Sequence, residues 1–220
     1  MAQDQPLSHA TTSETPAAAP AGDARSDPRR RQVLEAARRL FEEKGFEATT
    51  MAELARHVGI AVGTLYKFFK DKRALYQTLV ADTVRDFEVE LCRALDDPEL
   101  DLVGKIDAFL RIGTELFEKH LPLIRVYFAE TEAAFLFTPA GLEDEALRSH
   151  QRILDALTRT MRRGVEQGIL INLDPAALAL ALEGMHNGFL TTMVRFPGMF
   201  TPEQICTYTH RVFFESALRN

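Results

Sequence analysis

Apolar residues recur along the chain at the three-and-four spacing of helices, and no segment shows the alternation of a strand. Val33, Leu34, Ala37, Leu40 and Phe41 form the first such face. It follows Asp27-Pro28, an N-cap with proline at the first helical position, and Lys44-Gly45 supplies a basic last turn and a left-handed stop. Phe46 is expected to pack back under this helix. Thr50-Met-Ala-Glu53 has the form of a capping box and predicts a second helix that buries Met51, Leu54, Ala55 and Val58 and stops at Gly59. After Ile60, a third helix opens at Ala61 or Val62 with Leu65, Phe68 and Phe69 inward. Asp71 then caps a long helix carrying Leu75, Leu79, Val80, Val84, Phe87 and Leu91, which ends before Asp96-Asp97-Pro98.

The same period continues to the end of the chain. Residues 102–120 place Ile106, Phe109, Leu110, Leu116 and Phe117 inward, and Pro122 starts a helix with Leu123, Ile124, Tyr127 and Phe128. An apolar run at 133–138 is broken by Pro139-Ala-Gly141. Residues 143–168 read as a long helix with Leu147, Ile153, Leu154, Leu157, Met161 and Val165 on one side, and Asp174-Pro175 and Thr201-Pro202 start two more. The expected fold is all-α with about nine helices. Its organisation is a disordered tail at 1–26, rich in Ala, Thr, Ser and Pro, a three-helix module at 27–72, and a connector helix with a helical domain at 73–220.

Composition narrows the function. The 220 residues are 46% hydrophobic, enough for a sizeable core, yet no run reaches the roughly 18 apolar residues of a membrane span, and the first residues lack a signal-type apolar stretch. Cys92 and Cys206 have neither metal nor redox spacing, so a reducing cytoplasm is expected. The net charge of −6 hides an asymmetry: residues 25–73 carry +5 and the remainder −11. A basic module on an acidic body provides the local positive face that phosphate binding requires.

Two helices joined by a three- or four-residue glycine turn form a helix-turn-helix. On the third helix Val62, Gly63, Thr64, Tyr66 and Lys67 point away from the core. Small residues at its start permit close approach to a major groove, and the phenol and ammonium reach phosphates. Lys70 and Lys72 extend the basic rim. Spacing alone equally fits a helical hairpin with a solvated basic face. The run Thr50, Ala55, Gly59, Gly63-Thr64-Leu65-Tyr66, Phe69 and Lys72, followed by Leu75, resembles the DNA-binding signature of the TetR family of bacterial transcriptional regulators over residues 30–76. The resemblance implies that Tyr66 and Lys72 hold phosphates, and that Ala61, Val62, Gly63, Thr64 and Lys67 approach bases and adjacent backbone of double-stranded operator DNA. Ala61 stands where many members carry a capping serine, and Val62 where many carry a polar or basic residue, which favours apolar contact with a thymine methyl.

The resemblance further implies a homodimer whose last two helices pair with their copies, through Ala177, Ala181, Gly184 and Gly188 on one and Ile205, Tyr208, Val212 and Phe213 on the other. A small-residue seam within one subunit is the alternative. An extended or aromatic hydrophobic effector is expected in a cavity lined by some of Phe109, Phe117, Tyr127, Phe128, Phe135, Met185, Phe189 and Met193, with His120, His150, His186 or Asn187 as polar anchors. No metal or cofactor is implied. Two rivals stay open: Glu183-Gly-Met-His186 has the Glu-x-x-His spacing of helical di-iron enzymes, without a second copy, and Cys92 or Cys206 is a candidate thiol sensor.

Overall fold

The computed structural model describes residues 27–130 and 144–218, which form nine α-helices. These are α1 (Pro28–Lys44), α2 (Met51–Val58), α3 (Val62–Phe68), α4 (Lys72–Asp96), α5 (Leu102–Lys119), α6 (Leu121–Glu130), α7 (Asp144–Glu166), α8 (Pro175–Arg195) and α9 (Pro202–Ala217). The tail at 1–26 and the apolar run at 133–138, with Phe135, lie outside the described residues. Among the described residues there is no strand, only an isolated antiparallel bridge between Leu170 and Leu218.

Local capping chemistry sets most helix starts. Asp27 accepts from Arg29 N at 2.8 Å, Asp71 from Ala74 N at 2.7 Å and Asp174 from Ala176 N at 2.7 Å, each satisfying an amide that the first turn leaves without an intrahelical partner. Thr201 and Gln204 bond reciprocally, at 3.2 and 2.9 Å, as a full capping box. At α2, Thr50 Oγ1 accepts from Glu53 N at 3.2 Å. The Glu53 carboxylate pairs with Lys44 at the end of α1, and this bond, aided by the Thr50 amide, holds it below the usual carboxylate range.

Two main cores follow from the helix faces. Val33, Leu40 and Phe41 of α1, Leu54 of α2, and Leu65 and Phe69 at α3 bury one another, joined by Leu75, Tyr76 and Leu79 of α4 and Leu123 of α6. The rings of Phe41, Phe46 and Tyr76 lie 5.2 to 6.0 Å apart, so the connector helix is built into this head. The second core joins α4, α5, α7, α8 and α9 through residues such as Leu95, Ile106, Leu157, Leu182 and Phe213. Leu147 corrects the sequence reading: it is 43% exposed, because α7 turns Ala146, Ser149, Ile153 and Ala156 inward, one position off the expected face.

Candidate nucleic-acid interface and ligand cavity

The turn between α2 and α3 is three residues long, and its geometry rests on one glycine. Gly59 sits at φ 76°, ψ 32°, the left-handed region that costs other residues strain, while Ile60 N reaches back to Ala55 O at 2.9 Å. The α3 that follows opens at Ala61 without a side-chain cap, as the missing serine implies. Leu65 is fully buried, and Val62, Gly63, Tyr66, Lys67 and Lys70 are exposed, with Thr64 half-buried beside them. A Cβ added at Gly63 would meet nothing within 4 Å, so this first turn presents a flat, open surface. Exposed Thr50 starts α2, its hydroxyl oxygen already accepting from Glu53 N.

Lys72 is placed differently from its neighbours. Its Nζ donates to Phe46 O at 2.7 Å and Glu47 O at 3.2 Å and lies 4.2 Å from the centre of the Phe46 ring. Two of its three donors therefore tie the start of α4 to the α1–α2 loop, a positioning role that spacing does not reveal.

A second connection joins head and body. Arg38 of α1 donates from Nη1 to Nδ1 of buried His120 at 2.9 Å, and because arginine only donates, the neutral ring carries its proton on Nε2. That Nε2 has no hydrogen-bond partner among the described residues, and Asp86 Oδ2 stands 3.9 Å away. Burial, then repulsion by Arg38 and Lys119, pulls the His120 pKa down to about 4 against the opposing effect of Asp86.

Inside the body lies a largely apolar cavity of about 150 Å³. From α4 come Val80, Thr83, Val84, Phe87 and Leu91; Phe109 and Gly113 come from α5, and Leu123, Ile124, Tyr127 and Phe128 from α6. His150 and Ile153 of α7 and Glu183, His186, Asn187 and Leu190 of α8 close it. Of the expected lining, Phe109, Tyr127, Phe128, His150, His186 and Asn187 are present. Five others are corrected. Phe117 packs with Leu190 and Ile205 in a third cluster that Phe189 and Met193 border, Met185 packs on the main core, and His120 stands at the joint with α1. Glu183 and the α4 wall were not expected, since periodicity shows that a face is buried but not whether it meets a neighbour or a void.

The rival chemistries find these groups engaged elsewhere. His186 faces hydroxyls at both ring nitrogens, Thr114 at 3.4 Å and Thr209 at 3.4 Å, and burial draws its pKa to about 4. Among the described residues no group of three or more His, Cys, Asp or Glu could hold a metal ion. Both thiols are pushed up, chiefly by burial, which lowers the thiolate fraction that redox sensing uses.

On α8, Ala177, Ala181, Gly184 and Gly188 form an exposed stripe, and Cβ atoms at the two glycines would meet open space. Tyr208 and Val212 of α9 are exposed as well. Ile205 and Phe213 are not: both are buried in their own subunit's cores, so neither is available to a partner. Among the described residues no helix is long and apolar enough to cross a membrane.

A glycine-turned helix pair with its third helix exposed defines a helix-turn-helix DNA-binding protein. Residues 33–79 match the model of the bacterial regulatory proteins, tetR family. The chain is 26% identical over 178 residues to the nucleoid occlusion factor SlmA of Photobacterium profundum, spanning 80% of this chain and 89% of that protein. It is 23% identical over 154 residues to the uncharacterized HTH-type transcriptional regulator YhgD of Bacillus subtilis, spanning 70% of this chain and 78% of that protein. The crystal structure of the TetR family transcriptional regulator PfmR from Thermus thermophilus matches with a TM-score of 0.64 at 25% identity, over 85% of this chain and 99% of that one. Residues 33–79 are thus a DNA-binding module of the TetR family, and the chain is a non-enzymatic DNA-binding transcriptional regulator.

Proposed function

We propose that the chain is a homodimeric repressor, active in the cytoplasm, that a small molecule in the cavity releases from a palindromic operator. Residues 27–72 serve as the reading head and 73–220 as the effector-binding and dimerising body. The observation that carries this reading is a shared wall: Val80, Leu123 and Tyr127 line the cavity and also pack in the core of the head. A ligand that displaces them must repack the head or move it. Phe87 extends the same path, since it lines the cavity and its ring lies 6.2 Å from that of His120, which holds Arg38. The effector then acts by favouring one of two head spacings, with a coupling no larger than its difference in affinity for them.

The exposed small-residue stripe of α8, beside Tyr208 and Val212, supports pairing across a two-fold axis, where small side chains let helices approach. On the head, Val62, Gly63, Thr64 and Lys67 read or approach bases, and Tyr66, Lys70 and a remaining donor of Lys72 contact phosphates.

Binding of the full chain to duplex DNA from upstream of its coding region tests the reading. Affinity is expected to fall by about 10³-fold or more between 50 and 200 mM salt if six or more phosphates are engaged. Tyr66→Phe is expected to weaken binding to every sequence by about tenfold, the value of one charge-assisted hydrogen bond, at unchanged melting temperature. Salt-insensitive binding, or full affinity in the variant, refutes this assignment.

A further inference from the structure

We infer that the cavity takes a compact apolar amine: a ring-sized hydrocarbon body with one ammonium group that pairs with the Glu183 carboxylate. This rests on the ligand-responsive reading above and names the chemistry of its effector. Glu183 projects from α8 with its side chain only 12% exposed, and its ionic partner is His150 Nδ1 at 3.7 Å, beyond hydrogen-bonding reach. Burial pushes this carboxyl up, partly opposed by His150. A carboxylate so placed lacks full compensation, and a ligand ammonium at hydrogen-bond distance would supply it.

The remaining lining excludes the opposite charge. Among the described residues no lysine or arginine faces the cavity, so an anionic ligand would find only His150, already set against Glu183, as a countercharge. His186 does not provide one, because its ring stays neutral between Thr114 and Thr209. Size favours a small body: about 150 Å³ is the space that in other proteins holds a single benzene ring. The aromatic side chains of Phe87, Phe109 and Phe128 suit such a body and favour a nearby cation.

The test uses three probes with one ring: 2-phenylethylamine, 2-phenylethanol and phenylacetate, titrated calorimetrically into the full chain. The amine is expected to bind about tenfold or more tighter than the alcohol, the increment of one charge-assisted bond, with phenylacetate weakest. Glu183→Gln, nearly isosteric, is expected to remove the amine's advantage over the alcohol. Phenylacetate binding as tightly as the amine, a variant that keeps the advantage, or no binding by any probe overturns the inference. The wild-type series decides the matter even if the variant does not fold. Parallel DNA binding separates the two ideas. Preferential amine binding with unchanged operator affinity sinks the effector role and keeps the amine site. Equal release by amine and alcohol keeps the effector role and sinks the amine site.

Discussion

Gly63→Glu leaves the fold standing and lowers DNA affinity by about 100-fold or more. Gly63 lies in the exposed first turn of α3, a new Cβ there meets nothing within 4 Å, and its backbone is not in the left-handed region. Replacing a helical glycine is expected to raise helix stability by up to about 1 kcal/mol, and a carboxylate in the first turn suits the helix dipole. Against DNA the same side chain is unfavourable twice over, since it blocks close approach and sets negative charge against phosphates, and like charges at an interface cost several kcal/mol. At about 1.4 kcal/mol per tenfold, two such factors correspond to the stated loss. The check pairs a melting curve with a binding titration. A variant that melts normally and binds normally would remove α3 from the interface.

Acid is expected to destabilise the protein through two buried neutral histidines, His120 and His186, both drawn down to about 4. In the unfolded chain each takes a proton near pH 6.5, so between that pH and about 4 the unfolded state binds more protons and stability falls as pH falls. Below about 4 the native rings protonate too and this loss levels off. For His186, buried within the α5, α8 and α9 packing, the full span is worth roughly 3 kcal/mol at 1.36 kcal/mol per unit. Glu183 works in the opposite sense, because its raised native pKa favours the folded state as pH drops. Urea unfolding between pH 7.5 and 5 measures the slope, which should approach two protons. His120→Gln should reduce it by about one, because the unfolded chain then has one fewer imidazole to protonate. An unchanged slope in that variant would show that His120 is not held neutral. Protonation of His120 also sets an imidazolium against the Arg38 guanidinium, so acid weakens the joint between head and body.

Caps and turns were legible in the sequence because their chemistry is local. Asp27-Pro28, Asp71, Asp174-Pro175 and Thr201-Pro202 each start a helix with their own side chains, and Gly59 makes its turn by its own backbone freedom. The exposed face of α3 was legible for a related reason: in a seven-residue helix, burying Leu65 leaves Val62, Gly63, Tyr66 and Lys67 outside. What was not legible depends on neighbours far along the chain. Ile205 and Phe213 have the spacing of an interface but fill cores of their own subunit. Lys72 reads as a free cation until the α1–α2 loop places two carbonyls against it. Glu183 looks like half of a metal motif until α4 and α6 enclose a cavity around it. Val80 and Leu123 read as ordinary core, and only the packing of α6 between head and body makes them a shared wall.

The most direct test is selection of duplexes bound by the full-length protein from a random-sequence pool. A two-fold protein with one exposed α3 per subunit should enrich an inverted repeat with half-sites one helical turn apart, about 34 to 36 Å between recognition helices. The Gly63→Glu variant should enrich nothing. Recovery of no motif by the wild-type protein, or the same motif by both proteins, would contradict the assignment of α3 as the reading element.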